Sequence, residues 1–236
     1  MTEMELVLVG LAAVLGGGVN ALAGGGTLIT FPVLLAVGVP AVAANITNTV
    51  ALCPGYLGGT IAQLKDLRGE QQKVFIFGIT GALGGVAGGV LLLHTAESTF
   101  RTLVPYLILL ATALLAIEGP VRRWQARRSA DNGGKPGRGL WKAIPVFMAS
   151  VYGGYFGAGL SVIVLAVLAL ISNQSLTRVN ALKQVIGLFV NIAAALFVLF
   201  SGQVVWSASV VMAIGSLAGG VVGGLVAAWV SPSVLR

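Results

Sequence analysis

Apolar residues along this chain come in runs far longer than the alternation of a strand or the one-sided stripe of a surface helix. The runs cover roughly residues 5–38, 41–64, 71–94, 102–119, 143–172, 175–200 and 207–230. A helix needs about 20 apolar residues to cross the hydrocarbon of a bilayer, and most of these runs reach that length. The pattern therefore predicts an all-α integral membrane protein. Two runs, 5–38 and 143–172, are too long for one crossing and too short for two. The first is interrupted by Gly24-Gly25-Gly26 with Pro32 just beyond, the second around Gly157 to Gly159. Each predicts a re-entrant hairpin that enters, breaks near mid-membrane and returns, because broken backbone is tolerated at that depth where protein or water surrounds it.

The runs also repeat. Gly84-Gly85-Val86-Ala87-Gly88-Gly89 returns 135 residues later as Gly219-Gly220-Val221-Val222-Gly223-Gly224, and the same offset carries Asn45 onto Asn180 and Arg101 onto Arg236. Leu22-Ala23-Gly24-Gly25-Gly26 matches Tyr155-Phe156-Gly157-Ala158-Gly159 at an offset of 133. Glycine-rich coincidence is common in membrane helices, but three landmarks in order favour duplication. The expected organisation is a first transmembrane repeat at 1–120, a basic linker at 121–142 and a second repeat at 143–236. A hairpin plus three crossings per repeat inverts the second relative to the first, as in many secondary transporters. The counterpart of run 102–119 would fall beyond Arg236, so the final helix of the second repeat is expected to be missing.

Charge placement orients this arrangement. Of 14 Lys and Arg, seven lie between Arg122 and Lys142, giving an expected cytoplasmic loop under the positive-inside rule rather than a nucleic-acid patch. Lys65, Arg68 and Lys73 then fall on the same side, and the charge-free turn 201–206 on the other. The single cysteine, Cys53, permits no intrachain disulfide. Glu3 and Glu5, with no basic residue before the first apolar run, do not suit a cleaved signal peptide. The expected location is a cell inner (plasma) membrane, multi-pass.

Gly24-Gly25-Gly26-Thr27-Leu28-Ile29-Thr30-Phe31-Pro32-Val33-Leu34-Leu35, then Gly38-Val39-Pro40 and Ala44-Asn45-Ile46-Thr47, resembles the opening motif of the TauE/SafE-like sulfite exporter family. Gly153-Gly154-Tyr155-Phe156-Gly157-Ala158-Gly159 resembles its second motif. Thr47-Asn48 stands where many relatives have Thr-Ser, and Leu165 where the second copy would carry the counterpart of Pro32. The resemblance implies transport of sulfite, a sulfonate or a related small organic anion.

A broken helix exposes N–H groups at a partially positive terminus, which suits an anion; the same glycines could serve helix packing alone. The candidate substrate contacts are Gly24, Gly25, Gly26, Thr27, Asn20, Asn45, Thr47 and Asn48 in the first repeat. Gly157, Gly159, Ser161, Asn180, Lys183 and Gln184 are those of the second. The asparagines could equally bond helix to helix in a dry interior. Lys183, aligned with Asn48, is the expected charged contact, because an ammonium near mid-membrane is costly without a purpose; the alternative is that it snorkels to the interface. No Asp or Glu follows Asp131, and Glu5 and Glu118 fall at run ends, so a buried carboxylate relay is not expected. No cofactor or metal is expected: His94, with Glu97 and Arg101 nearby, reads as interfacial. The partners are a small anionic substrate and the lipid bilayer, not nucleic acid. An anion channel is the alternative to a carrier. A membrane enzyme built on Ser161 and His94 lacks an orienting acid.

Overall fold

The computed structural model describes residues 1–22, 24–131, 140–172 and 174–229. Their α-helices are α1 (Glu3–Leu22), α2 (Thr27–Ala36), α3 (Ala41–Ala62), α4 (Gln71–Leu93), α5 (Glu97–Asp131), α6 (Ala143–Tyr155), α7 (Leu160–Ile171), α8 (Leu176–Val198) and α9 (Trp206–Trp229). Among the described residues five helices are long and apolar enough to cross a membrane: α1, α4, the Glu97–Val121 part of α5, α8 with the turn after it, and α9. Leu11 and Leu15 on α1, Leu83 on α4, Tyr106 and Leu109 on α5, and Ile214 on α9 all stand exposed. That outward apolar belt is unfavourable in water and ordinary in lipid, as in a multi-pass membrane protein. Helix α3 is as long but more polar, because Asn45, Thr47, Asn48 and Thr49 are turned into the protein and buried.

Both long runs fold as broken helices. Gly24 (φ +81°) separates α1 from α2; Gly157 (φ +78°) and Gly159 (φ +76°) separate α6 from α7. These left-handed conformations are costly for any residue with a Cβ and accessible to glycine. The second hairpin is closed at its open end by Lys142 Nζ, which donates to the Ile171 carbonyl at 2.8 Å. Lys142 thereby joins Lys65, Arg68, Lys73 and Arg178 at one end of the molecule, hereafter the basic end. There Glu70 pairs with Lys73 at 2.8 Å and Arg178 at 3.8 Å, and accepts a bond from Gln174. The first hairpin opens at the opposite end. Met1 touches Ser207, Val205 N donates to Thr47 Oγ1 at 3.0 Å, and α3 follows α2 across the Gly38-Val39-Pro40 turn. At this end Glu97 accepts the N–H of Ala41 (2.6 Å) and Val42 (3.0 Å), so a carboxylate on α5 caps the start of α3.

The two sequence halves interlock. Helix α4 packs along α6 and α8, and α9 packs along α1 and α3. The glycine repeat explains this contact by contact. A Cβ on Gly84 or Gly88 would strike α6, and one on Gly219 or Gly223 would strike α1. On the neighbouring face, Gly85 and Gly89 lie against α8, and Gly220 and Gly224 against α3. Small residues spaced by four let backbones approach on two faces at once.

Two expectations need correction. The hairpins are unequal: α6 and α7 have 13 and 12 residues, but α1 has 20 against 10 for α2. Helix α1 stays helical to Leu22 because α9 and α2 flank it, with Gly17 against Ser216 and Gly16 against Gly26. The polar stretch after run 102–119 is not wholly loop either. Helix α5 continues to Asp131, since no breaker separates Val121 from Asp131 and Arg, Gln and Ala favour helix. Residues 132–139 and Arg236 lie outside the described residues. Glu118 lies three residues before the Val121 end of the apolar span, is 6% exposed, and is engaged within the protein.

Candidate functional site

The two glycine breaks meet. A Cβ on Gly24 would overlap the side chain of Ser161, the second residue of α7, and one on Gly157 would lie 3.9 Å from Thr27 Oγ1, at the start of α2. The N-terminal turns of the two half-helices therefore lie side by side, each with its partial positive end at the junction. On the side facing the Glu97 end, Phe31 and Phe156 pack edge to face at 5.3 Å, with Phe100 6.2 Å from Phe156. All three rings are buried. They form an apolar plug one turn above the junction.

Helix α3 supplies the polar wall. Asn48 Oδ1 accepts from Thr30 Oγ1 at 2.5 Å, and its Nδ2 donates to Thr27 Oγ1 at 3.3 Å. Because Thr27 accepts from Asn48, its own hydroxyl proton remains for another partner. Asn45 Nδ2 donates to the Tyr155 carbonyl at 2.7 Å, tying α3 to the second break. Tyr56, also on α3, donates to Asn20 Oδ1 at 3.3 Å, with Ser161 beside it. Ser161 Oγ and Asn45 Oδ1 are buried and lack a hydrogen-bond partner of good geometry. Such groups are rare in a protein interior and call for an explanation.

Half of the candidates read from sequence converge here: Gly24, Thr27, Asn20, Asn45, Asn48, Gly157 and Ser161. Gly26 is against the Gly16 carbonyl and serves the α1–α2 contact. Gly25 and Gly159 face Leu115 and Ala111 of α5, which fits packing better than ligand approach. Thr47 is displaced toward the Glu97 end, where it holds Val205. Thr47 is therefore a structural acceptor, because its side chain points one face away from Asn45 and Asn48 on the same helix.

Asn180 and Gln184 form a second group nearer the basic end. Asn180 Nδ2 donates to Gln63 Oε1 at 2.8 Å, and Gln184 lies against Gly59. Gln63 and Thr60 complete this group and escaped the sequence reading, which stopped at Asn48 on α3. Helical spacing from Tyr56 through Gly59, Thr60 and Gln63 was the available signal. Lys183 is completely buried and interacts within the protein. Its burial excludes the snorkelling alternative. Among the described residues no cluster of three or more His, Cys, Asp or Glu could hold a metal ion, and His94 is engaged with the Val90 carbonyl.

Comparison with known proteins adds an independent line. The family model "Sulfite exporter TauE/SafE" matches residues 9–236. A "Probable membrane transporter protein" of Haemophilus influenzae is 27% identical over 201 residues, covering 85% of this chain and 76% of that protein. The Escherichia coli K12 "Probable membrane transporter protein YfcA" is 24% identical, covering 88% and 75%. "Probable membrane transporter protein ORF9" of Sinorhizobium sp is 21% identical, covering 90% and 79%. No solved structure matches the chain at a significant level.

Proposed function

This chain belongs to the sulfite exporter TauE/SafE family, and we propose that it is a secondary transporter of a small oxyanion in a cell inner membrane, with sulfite or a sulfonate as substrate. The observation that carries this reading is the meeting of two helix N-termini at glycine breaks, walled by buried hydroxyl and amide groups. Backbone N–H groups and aligned peptide dipoles stabilise negative charge, and glycine lets a ligand approach the backbone. Thr27 and Ser161 each offer a hydroxyl donor at the junction, and Asn48 sets the direction of the first by occupying its acceptor side. Lys183, buried in α8, is the candidate counter-charge, at a depth where an ammonium is expensive to keep.

The transport cycle follows from how the hairpins are held. They open toward opposite ends and touch at their tips, which suits inverted repeats exchanging access to one central site. The Phe31–Phe156 contact would seal the Glu97 end in the present state, and its separation would admit solvent there. The positive-inside rule makes the basic end cytoplasmic.

Counterflow in proteoliposomes tests the proposal. Vesicles preloaded with unlabelled sulfite or methanesulfonate should transiently concentrate the labelled anion above its external level. Lys183→Gln, with normal expression, should slow this about tenfold or more, since losing about 1.4 kcal/mol of a charge-assisted contact costs a factor of ten. Conductance without counterflow would replace the carrier by a channel. No flux of any tested oxyanion would remove the reading.

A further inference from the structure

Between the central junction and the basic end, α3 and α8 bury a patch of polar atoms that the protein leaves unsatisfied. Thr60, Gln63, Asn180 and Gln184 are 7%, 2%, 8% and 1% exposed. Thr60 Oγ1, Gln63 Nε2, Asn180 Oδ1 and both polar atoms of Gln184 have no hydrogen-bond partner. Five such atoms on four neighbouring side chains are far above the rate at which interiors tolerate them. Gly59 makes the arrangement possible, because a Cβ there would overlap Gln184 Nε2 and push the amide away from α3.

The patch has a chemical signature that survives any choice of amide orientation. Gln63 and Asn180 spend one NH2 and one carbonyl on each other. Whichever way the two amides are turned, one NH2 and one carbonyl are left over. Gln184 adds one of each and Thr60 a hydroxyl that serves as either. A ligand that fills the site must accept hydrogen bonds and donate at least one. A fully deprotonated sulfonate can only accept; an oxyanion that still carries a proton or a hydroxyl does both.

We propose that these four uncharged side chains form a second subsite, on the basic-end side of the glycine junction, for an oxyanion bearing an O–H group, such as hydrogensulfite or a hydroxysulfonate. The inference rests on the transporter reading above and adds the inner stage of the path and the protonation state it selects. Neutral amides hold such an anion loosely enough to release it, which a carrier's last station requires. The ion passes from the hydroxyls of Thr27 and Ser161 to the amides of Gln184 and Gln63, then to the basic end.

The test uses the whole purified protein and three probes: sulfite at mildly acidic pH, hydroxymethanesulfonate and methanesulfonate. Binding is read by calorimetry and by ligand-induced thermal stabilisation. In Gln184→Met and in the near-isosteric Thr60→Val, affinity for the two proton-bearing probes should fall about tenfold, and methanesulfonate should be affected less. The ligand-free melting midpoint should hold or rise, because an unpartnered buried polar atom has been removed. Unchanged affinity in both variants would mean that the patch holds only water and would overturn the subsite. Ser161→Ala separates the two readings: if it abolishes binding of all three probes while Gln184→Met and Thr60→Val do nothing, the transporter reading stands and this inference falls. If the wild-type protein binds none of the probes, both fall.

Discussion

Gly24→Ala should damage the protein through one specific neighbour. The added methyl meets Ser161, with Oγ at 2.5 Å and Cα at 3.2 Å, in a backbone conformation (φ +81°) that alanine resists. The left-handed conformation costs about 1–2 kcal/mol. Overlap with a side chain that has no free space costs about 1–3 kcal/mol more, and Ser161 is only 3% exposed. The variant should lose about 2–5 kcal/mol, or about 4–20 °C in melting midpoint for a chain of this size. Counterflow should fall with it, because the half-helix tips are forced apart. Removing the obstacle should restore part of the loss: Gly24→Ala with Ser161→Gly keeps the dihedral strain and sheds most of the overlap, giving a favourable coupling of about 1–2 kcal/mol. Gly25→Ala is the control, since its Cβ would meet Leu115 at an ordinary 3.4 Å, and it should cost about 0.5 kcal/mol or less. The assay is thermal unfolding in detergent for wild type and the three variants of the cycle. Strict additivity of Gly24→Ala and Ser161→Gly would show that the two breaks do not meet, and the central site would lose its geometric basis.

Three further outcomes follow from the same contacts. Glu97→Ala strips the cap from α3 and should cost about 0.5–2 kcal/mol, seen as a lower melting midpoint; an unchanged midpoint would show that the cap contributes nothing. Burial pushes the Glu70 carboxyl up, but hydrogen bonds from Lys73 and Gln174 and the charges of Lys73 and Arg178 bring it below its ordinary value. Its contribution to stability is therefore present above the unfolded-state value of about 4.3 and lost as pH falls through the lower folded one. The melting curves of wild type and Glu70→Gln should converge on acidification, and parallel curves would contradict the pairing. In a Cys53→Ser background, Gln203→Cys should react with an impermeant thiol reagent from outside and Lys65→Cys only after permeabilisation; labelling of both from one side would break the assignment of opposite ends.

Much of the fold was legible because a bilayer leaves so few solutions. Apolar runs located the helices, and glycine breaks located the hairpins. The 135-residue offset picked out the glycine sets of α4 and α9 that the structure packs in equivalent ways. What escaped had two physical causes. Run length follows side-chain polarity, whereas helix length follows backbone continuity, so α5 ran on to Asp131 past the end of its apolar run. The interlocking of the halves was hidden too, since no periodicity says whether α4 folds back on its own repeat or onto the other. At the site, Asn45, Asn48, Thr27 and Ser161 were found by proximity to the breaks in sequence. Gln63 and Thr60 come near Gln184 only through the crossing of α3 and α8, and Thr47 shared the motif but points elsewhere.

In the proposed mechanism the oxyanion is held where the two broken helices meet. Selenite, a heavier analogue of sulfite with the same shape and charge, can be located by its anomalous X-ray scattering in crystals of the liganded protein. A selenium peak is expected within hydrogen-bonding reach of Ser161 Oγ and Thr27 Oγ1, with a second on the Gln184 side if the inner subsite fills. Near the Glu97 end a 370 Å³ pocket lined by Gly38, Pro40, Glu97 and Arg101 offers a competing position. A peak there alone, with none at the glycine junction, would place the substrate outside the meeting of the two half-helices and refute the central site.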